Sequence, residues 1–466
     1  MSSIYDFGAV GDGVADDTEA FEHALQMGDG LVEIPRGDYR LTRTLVVDLA
    51  KHSRRAIHGQ GGVAKLIVAH AGPALIIKGT HGGSADPASF KPEVWQNERM
   101  PTLSGFEIQG DHPEADGVEI SGAVQPTLTG LLIRQVRTAI HVTERARNLI
   151  ISHCHIYHNT GIGVHLDRLN LHQVIINNSH ISYCRLGGIR VENSEIRNFQ
   201  ICGNDIEYNN NRAHGIAGAD AEPTAEIYID VREGSVREGT IVGNTIQATA
   251  SPNGANVRFI GSTEMNQKGG MWAITGNLIG SQTDNVHLTG CRGITLTGNF
   301  IYSGHHRNLL VENSREIVVG SNCFGHNPDY GVKELCTGMR FVDSQNCTLS
   351  GNVIQDSDAS PHTVDNAAPL ERSALLEFVR CQRMTMTGMQ IVNPAPYGID
   401  LEECSDVLIN GCSILDAREQ PLMESAIRWQ GAGTGNMIHS CRLSKGTTGE
   451  LLVPKDSVDL ANNLLL

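Results

Sequence analysis

Residues 293–302 read GITLTGNFIY, and residues 271–280 read MWAITGNLIG. Both stretches contain a run of alternating apolar and polar residues, a Gly-Asn turn and a second short apolar run. Alternation with a period of two is typical of β-strands, whereas a helix would need a period of about 3.6 residues. Such a unit therefore consists of short strands separated by tight turns.

This unit recurs along most of the chain. Each copy ends on an apolar anchor residue, at Ile108, Ile133, Ile156, Ile181, Ile206, Ile246, Ile279, Ile301, Phe324, Ile354, Ile391, Ile414 and Leu443. Seven of the intervals between anchors are 22 to 25 residues long, and the other five are 29 to 40. Three short strands in 22 to 25 residues fit one coil of a solenoid that buries its core by stacking on its neighbours. We predict an all-β, right-handed parallel β-helix.

In ten of these units the position two residues before the anchor is occupied by Asn, Ser or Cys. These residues are Cys154, Ser179, Asn204, Asn244, Asn277, Asn299, Asn322, Asn352, Cys412 and Cys441. Asn tolerates the left-handed backbone region and can bond its own copy one coil away, so this position predicts a stacked turn. Most of the eleven cysteines occupy equivalent places in the repeats, where a small buried hydrophobe suffices, which favours neither disulfides nor zinc.

The N-terminal segment predicts a helix that caps the solenoid. Asp16 or Asp17 can serve as the N-cap of residues 16–30, and the apolar positions are Ala20, Phe21, Ala24 and Leu25. We interpret Asp12, Asp16 and Asp17 as turn and cap residues rather than a metal cluster. The predicted organisation is a single β-helix domain over residues 1–466, with a cap at 1–30, coils at 31–443 and a C-terminal end at 444–466.

The long intervals contain five insertions. They cover residues 209–225, 248–255, 325–338, 356–373 and 416–424, and each lies between an anchor and the next alternating run. All five are therefore expected at one edge of the same sheet, where loops would form the wall of a groove. Insertions that only decorate a tolerant edge are the alternative interpretation.

The sheet beside that edge is predicted to carry the functional residues. In its runs GVHLD, GIRVE and IYIDV, alternation directs Asp167, Glu192 and Asp230 outward on successive coils. We predict these three as catalytic carboxylates. The predicted substrate-binding residues are His165, Arg190, Tyr228, Arg258, His287 and His214.

Paired carboxylates suggest glycosidic cleavage. Stacked carboxylates repel each other, so at least one should have a raised pKa unless a cation compensates. A protonated acid beside an ionised one is what that reaction requires. Against this, outward Asp and Glu are common on solvated strands, and Arg190 and Arg232 could neutralise them.

A second group of polar residues lies further along the chain. It consists of His287, His305, His306, Asp329, Tyr330, Asp356, Asp358, His362 and Asp365. Taken as loop residues they are ordinary polar positions, and no metal is predicted for them.

Residues 4–21 read IYDFGAVGDGVADDTEAF, and residues 32–41 read VEIPRGDYRL. This motif resembles the opening of the pectate-lyase-like β-helix superfamily, which includes polygalacturonase-like hydrolases, alginate epimerases and phage tailspikes. The resemblance implies the fold and not the chemistry. Residues 158–164, HNTGIGV, lack the Asp of the polygalacturonase NTD motif, and the epimerase DPHE motif is absent.

Three functions remain open from the sequence. The favoured one is an enzyme that cleaves or transfers glycosidic bonds of a neutral or weakly charged oligo- or polysaccharide, without a cofactor. The second is a polyuronide lyase or epimerase, in which Asp167, Glu192 and Asp230 would bind Ca²⁺. The third is a non-catalytic, tailspike-like carbohydrate-binding protein.

Composition restricts the partners and the compartment. The net charge of −16 disfavours nucleic acid and anionic membranes as partners and weakens the lyase alternative. The sequence leaves open whether the protein forms a homo-oligomer. The N-terminus lacks the basic and apolar regions of a secretory signal, which predicts a cytoplasmic protein or a secreted one whose signal has been removed.

Overall fold

A computed structural model describes residues 2–83, 86–215, 224–262, 268–327, 338–355, 372–454 and 457–466. The chain divides into two compact units. The first takes in residues 1–215 and 225–239, and the second takes in residues 216–224 and 240–466. The single domain over residues 1–466 stays a prediction.

In each unit, most coils contribute three strands, and each strand pairs in parallel with the corresponding strand of the next coil. We call the strands that carry the predicted catalytic and binding residues the site sheet. The second sheet follows it in each coil, and the third sheet holds the short strands with the anchor residues. The predicted parallel β-helix is confirmed.

The first unit contains the following strands. Its site sheet consists of Leu45–Asp48, Gly72–Lys78, Ala115–Ser121, Ile189–Glu192 and Ala225–Asp230, with Ala123–Val124 beside it. Ile140–Ser152 and Val164–Asn177 run through both the site sheet and the second sheet. The second sheet also holds Ser2–Ser3, Leu31–Ile34, Ala56–Gly59, Thr102–Ser104, Thr127–Thr129, Ser194–Cys202 and the start of Gly234–Val242. The third sheet consists of Asp12–Asp16, Gly37–Leu41, Ala64–Val68, Glu107–Gly110, Leu132–Arg134, His155–Tyr157, His180–Ser182 and Asp205–Glu207.

The second unit repeats this arrangement. Its site sheet consists of Ala255–Ile260, Asp284–Thr289, Arg307–Glu312, Met339–Val342, Leu376–Val379, Tyr397–Glu402, Ser425–Gln430 and Leu451–Leu452. Its second sheet holds Gly269–Thr275, Arg292–Thr297, Arg315–Gly320, Thr348–Ser350, Thr385–Thr387, Leu408–Asn410, Asn436–His439 and Val458–Ala461. Its third sheet consists of Thr245–Gln247, Leu278–Gly280, Phe300–Tyr302, Cys323–Gly325, Val353–Gln355, Gln390–Val392, Ser413–Leu415, Arg442–Leu443 and Leu464–Leu465.

The predicted helix near the N-terminus spans Thr18–Met27 and buries Ala20, Phe21, Ala24 and Leu25. The shorter helices are Ile4–Phe7, Leu49–His52, Pro87–Ser89, Pro92–Asn97 and Arg212–His214. Asp17 occupies the N-cap position, but its side chain makes no capping bond. Its buried carboxylate instead accepts the backbone N–H groups of Val10 and Gly11, at 2.6 and 3.2 Å. Asp17 therefore ties the N-terminal segment to the helix. Asp16, the other expected cap residue, accepts the backbone N–H of Thr18, the first helical residue, at 3.0 Å, so the side-chain cap comes from Asp16.

The stacked turns are present. In the second unit the backbone N–H of Asn277 donates to Asn299 Oδ1 at 3.0 Å, and that of Asn299 donates to Asn322 Oδ1 at 2.9 Å. These asparagines do not adopt the left-handed conformation, which corrects one premise of the prediction. The preceding residue adopts it instead, with φ of 64° at Gly276 and 66° at Gly298. Gly therefore makes the turn and Asn joins it to the next coil.

The insertions begin after third-sheet strands and end before site-sheet strands in chain order, as predicted. Most of their length, at residues 216–223, 328–337 and 356–371, lies outside the described residues. The groove wall therefore stays a prediction. The ten described cysteines are all free, and eight of them are buried.

None of the described helices is long and apolar enough to cross a membrane.

Candidate active site

The site sheet of the first unit brings together six of the predicted site residues. His165 pairs with Arg190 on the next coil, and Arg190 pairs with Tyr228 on the coil after that. Asp167 pairs with Glu192 in the same way. Alternation places these side chains on the outer face of the sheet, with adjacent strands about 4.8 Å apart.

Glu192 is held by two donors. Its Oε2 lies 3.1 Å from His165 Nε2, and its Oε1 accepts a hydrogen bond of 2.6 Å from the Arg190 guanidinium. Burial alone would raise the pKa of Glu192, but the hydrogen bonds from His165 and Arg190 outweigh it and lower the pKa to about 2. Glu192 is therefore ionised at neutral pH and cannot donate a proton.

The other two predicted carboxylates are also paired, and both are buried. Asp167 lies 2.7 Å from the Arg168 guanidinium and accepts a 3.1 Å hydrogen bond from the Asn193 side-chain amide. Asp230 accepts hydrogen bonds of 3.0 and 2.5 Å from the Arg232 guanidinium. Each of the three carboxylates thus has its own compensating arginine. A raised carboxylate pKa was expected from the sequence only in the absence of such a cation.

Neutral proton-transfer groups flank Glu192 along the sheet. The ring of His141, one coil before His165, stacks on that ring at 5.4 Å. Burial and the neighbouring His165 lower the pKa of His141, so its imidazole is neutral at pH 7. Burial, with a smaller effect from Asp230, raises the pKa of Tyr228, so its phenol keeps its proton. The site thus holds both a neutral base and a proton donor.

Arg190 links the two halves of this cluster. Its guanidinium lies 4.7 Å from the centre of the Tyr228 ring while it donates to Glu192. Stacking on the ring fixes the direction of the cation. This arrangement leaves a positive group between the imidazole of His165 and the phenol of Tyr228.

The remaining predicted binding residues lie elsewhere. His214 Nε2 contacts the Tyr183 backbone carbonyl at 2.6 Å, so that nitrogen is tied to a turn. Arg258 and His287 belong to the second unit, where they pair on adjacent coils. Asp329, Tyr330, Asp356, Asp358, His362 and Asp365 lie outside the described residues.

Two acidic residues of the first unit were missed. Glu226 is fully buried and accepts hydrogen bonds from the backbone and side chain of Asn209, and burial raises its pKa well above the usual range. Burial and the neighbouring Asp205 raise the pKa of Glu207 to about 7. Alternation places Glu226 on the same outward face as Tyr228 and Asp230, so the sequence offers no indication that its carboxyl is fully buried.

The calcium alternative does not fit the first-unit site. No group of three or more His, Cys, Asp or Glu side chains in the described part of the chain is placed to hold a metal ion. Asp167, Glu192 and Asp230 each bond an arginine instead of facing one common point. Ca²⁺ coordination needs six to eight oxygen ligands, which this arrangement does not supply.

Comparison with known proteins identifies the fold class. Residues 94–230 match the family model described as a right-handed β-helix region. No curated protein sequence matches the chain significantly. The resemblance to right-handed parallel β-helix proteins is confirmed, and no subfamily is identified.

Several solved structures are similar to this chain. The pre-mature gene product 12 of bacteriophage phi29 is 13% identical, with a TM-score of 0.52, over 93% of this chain and 56% of that one. The A-module of the mannuronan C-5 epimerase AlgE6 of Azotobacter vinelandii is 13% identical, with a TM-score of 0.40, over 100% and 99%. The catalytic unit of the GH87 α-1,3-glucanase of Streptomyces thermodiastaticus is 14% identical, with a TM-score of 0.36, over 99% and 68%. At 13% identity the likeness to the phi29 protein shows the fold alone.

Proposed function

We propose that the protein is a carbohydrate-active enzyme that binds a sugar chain across the site sheet of the first unit. The support is the row of half-buried donors and acceptors on successive coils, about 4.8 Å apart. The single observation that carries the proposal is the contact of Glu192 with both His165 and Arg190. It joins a carboxylate, an imidazole and a guanidinium in one functional group.

The best-supported reaction is proton abstraction from a uronate residue, as in a polyuronide lyase or epimerase. The His165 imidazole takes the proton from the carbon next to the sugar carboxylate, and Glu192 stabilises the imidazolium that forms. Arg190 stabilises the negative charge that develops on the sugar carboxylate. In elimination, the bond to the neighbouring glycosidic oxygen then breaks, and that oxygen takes the Tyr228 proton. In epimerisation, Tyr228 returns a proton to the opposite face of the same carbon.

Glycosidic hydrolysis by the same carboxylates is less well supported. That reaction needs one protonated carboxylic acid beside an ionised one. The pKa of Glu192 is about 2. Asp167 forms an ion pair with Arg168, and Asp230 accepts hydrogen bonds from Arg232. Asp167, Glu192 and Asp230 therefore offer no proton donor to a leaving group.

A second candidate function, a glycoside hydrolase or transferase, is favoured by one observation outside that column. Asp205 and Glu207 lie on one strand of the third sheet, and burial together with Asp205 raises the pKa of Glu207 to about 7. A shared proton between two neighbouring carboxyls is a pattern that acid and base catalysts use. In this case Glu207 would act as the acid.

A product assay separates these functions. Purified protein is incubated with a panel of neutral and uronate-containing polysaccharides, with absorbance near 230 nm reporting an unsaturated product and a reducing-end assay reporting hydrolysis. A lyase raises both signals, a hydrolase raises only the second, and an epimerase changes only the proton NMR spectrum of the polymer. Binding without any of these changes would support the non-catalytic, tailspike-like alternative and contradict the proposal.

A matched pair of variants assigns the activity to the site. Glu192→Gln should lower turnover because the amide cannot stabilise an imidazolium. Glu195→Gln lies on the same coil, where an exposed Glu195 bonds Asn170 at 3.2 Å, and should leave turnover unchanged. Equal rates for wild type and Glu192→Gln would contradict the assignment.

A further inference from the structure

The site sheet of the second unit contains a contact with the same design as the one between His165 and Glu192. His287 Nε2 lies 2.8 Å from Glu312 Oε2 on the next coil. His287 pairs with Leu310, so Glu312 stands two residues beyond the position opposite the histidine. Glu192 has the same offset from His165, because His165 pairs with Arg190.

The two pairs also share their setting. Side-chain exposure is 17% for His287 and 18% for His165, and 35% and 23% for the two glutamates. A charged or titratable residue precedes each histidine on the previous coil, Arg258 before His287 and His141 before His165. A half-buried imidazole that faces a carboxylate is a common acid–base arrangement, since the carboxylate fixes the tautomer and stabilises the charged ring.

Further polar groups of the second unit surround His287. Thr289 Oγ1 lies 2.9 Å from His287 Nε2 and 3.5 Å from Glu312 Oε2. His287 Nδ1, Asp284 Oδ1 and His306 Nε2 are buried atoms with no hydrogen-bond partner among the described residues. Buried polar atoms are nearly always paired, so a local group of exceptions calls for a physical explanation, and a catalytic role is one that would account for it.

We propose that the second unit carries its own acid–base centre, built on His287 and Glu312, which acts on the same class of sugar chain as the first-unit site. This inference rests on the proposed function. The Glu312 carboxylate, the more exposed member of the pair, takes a proton from the bound sugar, and the His287 imidazole, whose Nε2 lies 2.8 Å from Glu312 Oε2, positions that carboxylate. No metal or redox partner takes part in this transfer.

Single and double variants test this inference. His165→Gln, His287→Gln and the double variant are compared with wild type on a polysaccharide that wild type converts. Each single variant should keep the share of turnover that belongs to the other centre, with its own pH profile. The double variant should fall about 10²- to 10⁴-fold below wild type, the usual contribution of a positioned proton-transfer group.

The outcomes separate this inference from the proposed function. Turnover of His287→Gln equal to wild type, with a double variant no slower than His165→Gln alone, would overturn the second centre only. Absence of turnover in wild type on every polysaccharide would overturn the proposed function and this inference with it. If His287→Gln does not fold, Glu312→Gln replaces it and must give the same pattern.

Discussion

Each unit sets a histidine of one coil against a glutamate of the next, but the second donor to the glutamate differs. In the first unit, Arg190 lies opposite His165 and donates to Glu192. In the second unit, Leu310 occupies that place, and the Thr289 hydroxyl lies near Glu312 instead. The first pair therefore has a guanidinium bonded directly to its glutamate, and the second pair has a neutral hydroxyl there. The guanidiniums of Arg258 and Arg340, on the two flanking coils, donate to the Asn253 carbonyl and to Glu377.

This difference predicts different substrate groups at the two centres. A guanidinium beside the imidazole can neutralise a sugar carboxylate, which proton abstraction from a uronate requires. Hydrogen bonds from His287 and Thr289 lower the pKa of Glu312, whereas the two donors to Glu192 are His165 and the guanidinium of Arg190. We therefore expect the first-unit centre to depend on a uronate more strongly than the second-unit centre does.

The largest expected effect is on turnover at the first-unit centre alone. In a His287→Gln background, Glu192→Gln should lower kcat about 10²- to 10⁴-fold, since the imidazolium of His165 loses its carboxylate. Steady-state kinetics on the converted polysaccharide gives the value. Glu195→Gln in the same background is the control, and a loss of similar size there would point to a folding defect.

The hydrogen-bonded ladders of the two units also differ. Asn299 receives the Asn277 backbone N–H and donates to the Ile274 carbonyl and to Asn322 Oδ1. In the first unit, Ser179 Oγ receives only the Cys154 backbone N–H and donates to the Asn177 carbonyl. The asparagine therefore serves more buried backbone groups than the serine does.

Substitution of Asn299 should destabilise the protein more than substitution of Ser179. Asn299→Ala leaves buried groups of two neighbouring coils without partners and should lower the free energy of unfolding by about 1 to 3 kcal/mol. Ser179→Ala should lower it by about 0.5 to 1.5 kcal/mol. Chemical denaturation measures both values, and equal losses would contradict the comparison.

Each unit holds a buried acid on its site sheet, in two different environments. Glu226 accepts hydrogen bonds from Asn209, whereas Asp284 Oδ1 has no partner among the described residues. Burial raises the pKa of both side chains, against the opposing effects of Asn209 on Glu226 and of His287 and Arg307 on Asp284. Both acids therefore bind their proton more tightly in the folded state than in the unfolded chain.

Glu226→Gln should change the pH dependence of stability. An ordinary glutamate ionises near pH 4.3, so above that pH the folded state binds more protons than the unfolded state. The free energy of unfolding of wild type should therefore fall as pH rises from about 5 to 7, through the range where only the unfolded state is ionised. The variant lacks this slope. The free energy of unfolding of the variant minus that of wild type should therefore increase by on the order of 1 kcal/mol between pH 5 and pH 7.

Urea denaturation at several pH values measures that slope. Glu195→Gln removes an exposed carboxyl and should run parallel to wild type. A parallel curve for Glu226→Gln as well would mean that Glu226 ionises in the folded state, and the raised pKa would be wrong.

The sequence was sufficient for the repeat, the parallel pairing and the faces of the strands. Alternation in GVHLD and GIRVE places Asp167 opposite Glu192, because one face of a strand repeats every two residues. Alternation does not fix rotamers, so it could not show that Arg168 and Arg232 bind the carboxylates of Asp167 and Asp230. Those arginines lie one and two residues along the chain and reach back through long, flexible side chains.

The buried acids escaped sequence analysis for a different reason. Glu226 and Asp284 stand at or near the start of their strands, where burial does not follow the alternation. A pattern of period two predicts nothing reliable at such positions. Only burial, read from the structure, distinguishes them from solvated acids.

The smallest expected effect tests whether an acid–base centre requires the site sheet or only a histidine beside a carboxylate. His439 Nε2 lies 2.9 Å from Asp459 Oδ2 on the next coil of the second sheet, and the Asp459 side chain is 65% exposed. Exposed ion pairs contribute little to stability, so His439→Gln should change the free energy of unfolding by less than about 0.5 kcal/mol. Turnover should equal that of wild type, because the pair lies on the second sheet and not on the site sheet. Thermal unfolding and the product assay check both values on the same protein sample. A fall in turnover comparable with that of His287→Gln would mean that any histidine beside a carboxylate on this solenoid affects the rate, and the special role of the site sheet would then be lost.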